Sequence, residues 1–253
     1  MNLTRFQVDL AEVIVAPSAA VAGAIAAHEL ATTLSNAVSR TGSASVILAT
    51  GNSQLPFLAA LRTEQDVPWD RITVFHMDEY LGMDEDHPAS FRRYMRERVV
   101  EPLRPAAFHG IAGDADDPEA EMLRYAGLLA NQPPAACALG IGENGHLAFN
   151  DPPASPAMSG PIRIVELSPA SRLQQVGEGH FPDLASVPSH ALTLTISALL
   201  APGRVLANVP EARKAGAVRE ALRGPISPSC PASYLREAKG VTIYLDRDSA
   251  AQL

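Results

Sequence analysis

Short apolar runs recur along this 253-residue chain, and several end in a polar or glycine-bearing turn that opens a helical stretch. Val13-Ile14-Val15 precedes a segment, Ser18 to about Ser39, in which Val21, Ile25, Leu30, Leu34 and Val38 are spaced for one helix face. Ser43 to Ala49 runs into Thr50-Gly51-Asn52-Ser53, and Leu55, Leu58 and Leu61 follow at helical spacing. Pro56 is tolerable there in a first helical turn. Arg71–Phe75 ends in His76-Met77-Asp78-Glu79-Tyr80, and Ala136–Leu139 ends in Gly140-Ile141-Gly142-Glu143-Asn144-Gly145-His146. Further strands are predicted at 162–167, 204–208 and 241–245. Further helices are predicted at 121–130, 196–200, 211–222 and 90–100, the last stopped by Pro102 and Pro105.

Strands alternating with helices predict an α/β fold, a mostly parallel sheet covered on both faces. No repeat or interdomain linker interrupts the pattern, so residues 1–253 read as one domain. A flexible stretch is expected between about 150 and 190, where Pro152, Pro153, Pro156 and Pro161 disfavour regular structure.

Composition narrows the function classes. Hydrophobic residues make up 47% and charged residues 19%, which excludes disordered and collagen-like chains. The net charge of -8 argues against a nucleic-acid partner. Cys137 and Cys230 form no CxxC pair or zinc spacing and read as reduced thiols of a cytoplasmic protein. The apolar stretch from Val13 to Ala27 is too short and interrupted for a membrane span, so no membrane partner is expected.

Ligands of open parallel sheets bind at the carboxyl ends of strands, and three polar turns fall at such ends. Thr50, Gly51, Asn52 and Ser53 suit an anion, or simply cap a helix. Asp78 and Glu79 follow a buried-type strand, where a carboxylate serves as a general base if it reaches a substrate C–H; a solvated acidic loop is the alternative. Gly140, Gly142 and Gly145 bring the backbone near a ligand, directly before His146. Asp151 lies five residues on, within reach of the imidazole, and such a carboxylate fixes the tautomer and raises ring basicity. The glycine spacing also matches a dinucleotide-binding turn, but it lies mid-chain and a histidine opens the next element. Lys214 stands at a helix start, where a cation opposes the helix dipole, which suggests an anionic ligand. His76, Asp78 and His87 match no metal-ligand spacing, so no metal is expected.

These residues resemble a known family. Phe75-His76-Met77-Asp78-Glu79-Tyr80-Leu81-Gly82 followed by His87-Pro88-Ala89-Ser90 is similar to the MDEY segment of glucosamine-6-phosphate deaminases. Gly140 to Pro152 resembles that family's second signature, and Val187-Pro188, Ala191-Leu192-Thr193 and Lys214 follow in order. Related 6-phosphogluconolactonases share the glycine turn and histidine but not the MDEY stretch. The resemblance implies a Rossmann-like α/β fold with a lid at about 150–190 and no cofactor. The implied reaction converts glucosamine 6-phosphate and water to fructose 6-phosphate and ammonia. It implies that His146 moves a proton to the ring oxygen, that Asp151 holds the imidazole and that Asn144 orients. Asp78 would carry a proton from C2 to C1 through an enolamine. Thr50, Gly51, Ser53 and Lys214 would hold the phosphate, with Asn52, Glu79 and Gly142 also on the substrate. The same scaffold acting on another phosphosugar, as a lactonase, or as a non-catalytic sugar-phosphate binder is the alternative.

Three departures qualify what is implied. The acid partnering the histidine is usually Glu, and Asp151 is one methylene shorter. The segment from Leu173 to Phe181 lacks the family's phosphate arginine, so either His180 or Gln174 replaces it or the substrate differs; Arg172 matches a different family arginine. No activator-binding basic residues follow Arg163, so activation by N-acetylglucosamine 6-phosphate is not expected. Family members occur as monomers and hexamers, which leaves a homo-oligomer open.

Overall fold

The computed structural model describes residues 3–253. Its strands are β1 (Thr4–Val8), β2 (Ala11–Ala16), β3 (Ala44–Leu48), β4 (Ile72–His76), β5 (Asp78–Tyr80), β6 (Ala107–His109), β7 (Ala136–Leu139), β8 (Ile162–Glu166), β9 (His190–Leu194), β10 (Arg204–Val209) and β11 (Val241–Asp246). Its α-helices are α1 (Ala19–Thr41), α2 (Leu55–Leu61), α3 (Phe91–Met95), α4 (Glu101–Leu103), α5 (Pro118–Asn131), α6 (Pro169–Gly177), α7 (Ile196–Leu200) and α8 (Ala215–Arg223).

The main sheet has the order β1-β2-β11-β10-β7-β3-β4-β6, parallel except for β1, which pairs antiparallel with β2 at the edge. Its central strands are mostly apolar because both faces are covered. Successive side chains point to opposite faces, so Ile14, Val46, Leu48 and Val74 pack with Leu30 and Leu34 of α1 and Phe57, Leu58 and Leu61 of α2. Val13, Ile47, Phe75 and Leu139 pack on the other face with Tyr125 of α5, Leu199 of α7 and Val218 of α8. The chain adds β4 and β6 on one side of β3 and then β7, β10 and β11 on the other. This reversal opens a crevice at the carboxyl ends of β3 and β7.

Several expectations are corrected. His76–Tyr80 is not a turn throughout. The chain bends at Met77 and leaves the main sheet as β5, which joins β9 and β8 in a separate antiparallel sheet. Besides the expected strand β8, the stretch from 150 to 190 contains α6 and carries an apolar cluster of its own. Phe181, Leu167 and Val187 pack there against Tyr80, Phe91 and Phe149. Its prolines fall mostly between elements, and Pro169 occupies a first helical turn, where its missing N–H costs nothing.

Pro102 does not end its helix. After α3 the chain widens into a π-helical turn, Arg96–Val100, and continues to Leu103. Pro102 has no N–H to offer the Arg98 carbonyl four residues earlier, and the Arg62 guanidinium, donating through Nε at 3.1 Å, satisfies that carbonyl instead. The run stops at Arg104 in the left-handed conformation, φ 53°.

Gly23 places the next element. A Cβ there would lie 2.7 Å from the Phe57 nitrogen and 2.9 Å from the Pro56 carbonyl carbon, so α1 and α2 meet backbone to backbone. This contact seats α2 and the turn before it. Gly23→Ala is expected to lower stability by about 1–3 kcal/mol through overpacking, read as a lower denaturant midpoint with an unchanged slope; an unchanged midpoint would contradict it.

Candidate active site

The turns after β3, β4, β7 and β10 converge at the crevice. They line a cleft with about 580 Å³ of empty space, part of it open to solvent. Of the residues singled out from sequence, Thr50, Gly51, Asp78, Gly142, His146 and Lys214 line it. Met77, Phe91 and Phe149 supply apolar wall, and Gln174, Gln175, Glu178 and His180 reach it from α6 and the residues after it.

Asp78 opens β5, opposite Thr193 of β9. It is 6% exposed, and its side chain makes no hydrogen bond among the described residues. Burial pushes its pKa up to about 8, and the neighbouring Glu79 carboxylate adds to the effect. Strand alternation sends Glu79 the other way. Its carboxylate accepts hydrogen bonds from Ser90 Oγ (2.9 Å), Tyr80 N (3.0 Å), Phe91 N (3.2 Å) and Arg92 N (2.8 Å), capping α3. Glu79, expected on the substrate, does not line the cleft; its carboxylate is committed to the head of α3.

The turn after β7 is built around one imidazole. A Cβ on Gly142 would sit 2.2 Å from Nε2 and Cε1 of His146, so the ring lies flat where only a glycine fits. His146 Nδ1 is 3.3 Å from Asp151 Oδ1. Asn144 bridges the two, accepting from His146 N (3.1 Å) and donating to Asp151 Oδ1 (2.8 Å). Asn144 and Asp151 stand behind the histidine rather than in the cleft.

Ser171 was not legible in the sequence. Its hydroxyl donates to Asp151 Oδ1 at 2.6 Å, and the Ser168 N–H at the head of α6 donates to Oδ2 at 3.2 Å. Burial alone would raise the Asp151 pKa. Hydrogen bonds from His146, Ser171 and Asn144 outweigh burial and hold it well below the usual carboxylate range. The shorter acid thus gives a long contact to the histidine, compensated by α6. The serine pair at Ser168 and Ser171 was the available signal, but it reads equally as a helix cap, which Ser168 also is.

At the other end of the cleft stands Lys214, 3% exposed and in no ion pair within 4 Å among the described residues. Burial and the adjacent Arg213 lower its pKa, with Glu178, Glu143 and Glu211 opposing. Thr50 and Gly51, the latter at φ 101°, face the same space. Asn52 is exposed and donates to the Glu178 carbonyl (3.2 Å), and Ser53 faces a narrow crevice behind the turn, so neither lines the cleft. Arg172 spends its guanidinium on the Leu184 and Val187 carbonyls at 2.6 and 2.9 Å. Among the described residues no group of three or more His, Cys, Asp or Glu is placed to hold a metal ion, and no helix is long and apolar enough to cross a membrane.

Residues 17–244 match the family described as glucosamine-6-phosphate isomerases/6-phosphogluconolactonase. The chain belongs to this family. It is 35% identical over 202 residues to a glucosamine-6-phosphate deaminase of Bacillus cereus (strain G9842), covering 80% of this chain and 75% of that one. A relative of the same name in Bacillus thuringiensis (strain Al Hakam) is 34% identical over the same coverage. Among solved structures, a monomeric glucosamine-6-phosphate deaminase superposes with a TM-score of 0.86 at 32% identity, covering 95% of this chain and 99% of that one. A 6-phosphogluconolactonase from Shewanella baltica OS155, 19% identical over 97% of this chain and 99% of its own, shares the fold with a TM-score of 0.74.

The raised Asp78 pKa has a consequence for stability. A carboxylate that binds its proton more tightly when folded supports the fold fully below its unfolded pKa, near 4, and that support is lost as pH rises through about 8. Asp78→Asn is therefore expected to melt at a higher temperature than the parent at pH 8, with the gain shrinking toward pH 4. An equal or lower melting temperature at pH 8 would contradict the buried-charge reading.

Proposed function

We propose that this family member is a glucosamine-6-phosphate deaminase, converting glucosamine 6-phosphate and water to fructose 6-phosphate and ammonia. The observation that carries the reading is the unpartnered, buried Asp78 carboxylate in the cleft that also holds His146 and Lys214. A lactone hydrolysis needs one group that takes a proton from the attacking water and returns it to the leaving ring oxygen, which His146 alone can do. An aldose–ketose isomerisation needs, in addition, a base at C2.

The chemistry follows from the residues. Lys214, Thr50 and Gly51 take the phosphate and fix the sugar lengthwise. His146, oriented through Asp151 and Asn144, takes the anomeric hydroxyl proton and delivers one to the ring oxygen, so the C1–ring-oxygen bond breaks as the C1 aldehyde forms. Asp78 then removes the C2 proton and returns it to C1 through an enolamine, and hydrolysis of the resulting imine releases ammonia. In the free protein Asp78 holds its proton to about pH 8. An ammonium group at C2 of the arriving substrate favours the carboxylate form, so the substrate itself helps to generate its base. The raised proton affinity also strengthens the base, which an ordinary aspartate would lack.

Purified protein with glucosamine 6-phosphate is expected to release ammonia and fructose 6-phosphate in equal amounts. Asp78→Asn is expected to lower kcat by about 10²–10⁴-fold while substrate still binds. Turnover unaffected by Asp78→Asn, or none in the parent protein at saturating substrate, would overturn the proposal.

A further inference from the structure

The phosphate end of the cleft already contains an anion. Glu178 follows the last turn of α6, its side chain is 8% exposed, and it lines the same cleft as Lys214, His180, Thr50 and Gly51. Its Oε1 accepts from Gln174 Nε2 at 2.9 Å and pairs with Arg213 Nη1 at 2.8 Å. Its Oε2 stands 3.5 Å from His180 Nε2, which has no hydrogen-bond partner among the described residues. Its carbonyl takes the Asn52 amide, joining α6 to the turn after β3. Arg213 lines not this cleft but a neighbouring one, with Glu143 and Gln174, and pairs with Glu143 and Glu211 as well. Glu178 is thus held from the far side by a guanidinium and faces two cationic or potentially cationic groups on the near side.

We propose that Glu178 sets the anion affinity of this site: it is a resident counter-anion that a phosphate must outcompete, and Arg213 is a positioning residue that acts through it by drawing the carboxylate away from Lys214. The inference rests on the reading of the Lys214 end as the phosphate subsite. Burial would favour a neutral Glu178, but His180, Arg213 and Gln174 outweigh it and hold the pKa down at about 2, so the carboxylate is charged at any working pH. Like charges in a partly desolvated cleft repel strongly. A negative charge built into a site for anions weakens every phosphate-bearing ligand alike: it offsets the Lys214 charge while the cleft is empty and keeps phosphate and phosphate ester from binding tightly. It also gives a role to the segment that lacks the family's arginine. In place of one more fixed cation, this chain carries an ion pair, Glu178–Arg213, beside the site.

The experiment uses the full chain and inorganic phosphate as probe, with the dissociation constant from calorimetry and competitive inhibition against glucosamine 6-phosphate. Glu178→Gln removes the charge and keeps the shape. It is expected to bind phosphate about tenfold more tightly and to lower KM in step. Arg213→Gln is expected to weaken phosphate binding severalfold in the parent and to have no effect in the Glu178→Gln background, the pattern of a residue acting through another. Phosphate binding that is unchanged or weaker in Glu178→Gln would overturn the proposal. So would an Arg213→Gln loss of equal size in both backgrounds, which would mean direct contact. Lys214→Gln must abolish phosphate binding, and binding that survives it would place the ion elsewhere and overturn the proposal. Calorimetry reads phosphate binding without turnover, so a Glu178→Gln effect on phosphate binding together with no ammonia release from the parent protein would sink the deaminase reading alone.

Discussion

Desolvation of one carboxylate governs the arrangement of this site. Asp78 sits where β4 leaves the main sheet and β5 begins the second one, and the junction buries it without a hydrogen-bond donor among the described residues. A buried, unpaired carboxylate is costly, and here the cost is met by neutralisation, with the pKa pushed up to about 8. The adjacent Glu79 is buried as deeply but receives four hydrogen bonds and caps a helix. The two neighbours show how strand alternation assigns opposite tasks to adjacent acids: one holds the wall together, and the other is left reactive.

The histidine side of the cleft follows a different logic. Asp151 is shared between the imidazole and the head of α6, through Ser168 N and Ser171 Oγ. The seating of α6 and the orientation of His146 therefore depend on the same carboxylate. The far end of α6 reaches the Lys214 end of the cleft through Glu178. One short helix thus touches both ends of the cleft, with Gln174, Gln175 and Glu178 contributing to its wall. Movement of this segment would alter proton delivery and anion affinity together.

The sheet was legible because its strands are buried on both faces and therefore stand out as short, mostly apolar runs such as 44–48, 136–139 and 241–245. β1 and β6 were not, since one is an exposed edge and the other has three half-buried residues. β5 was hidden because Asp78 and Glu79 look like solvated loop residues, and their burial depends on pairing with β9, more than a hundred residues later. The glycine turn with His146 was readable from local spacing, and Gly142 is explained by the ring that lies over it. Ser171, Gln175 and Glu178 were not readable as site residues. Ser171 reaches Asp151, and Gln175 and Glu178 reach the cleft, through tertiary packing of the aromatic cluster around Tyr80, Phe91 and Phe181, which no local period encodes.

The central claim is that burial makes Asp78 a base of raised proton affinity. The most direct measurement is the carbon-13 NMR titration of the Asp78 side-chain carboxyl in the free protein, assigned by comparison with Asp78→Asn. The account predicts a midpoint near pH 8. A midpoint near 4, the value of an exposed aspartate, would mean that the carboxylate is solvated and would contradict it.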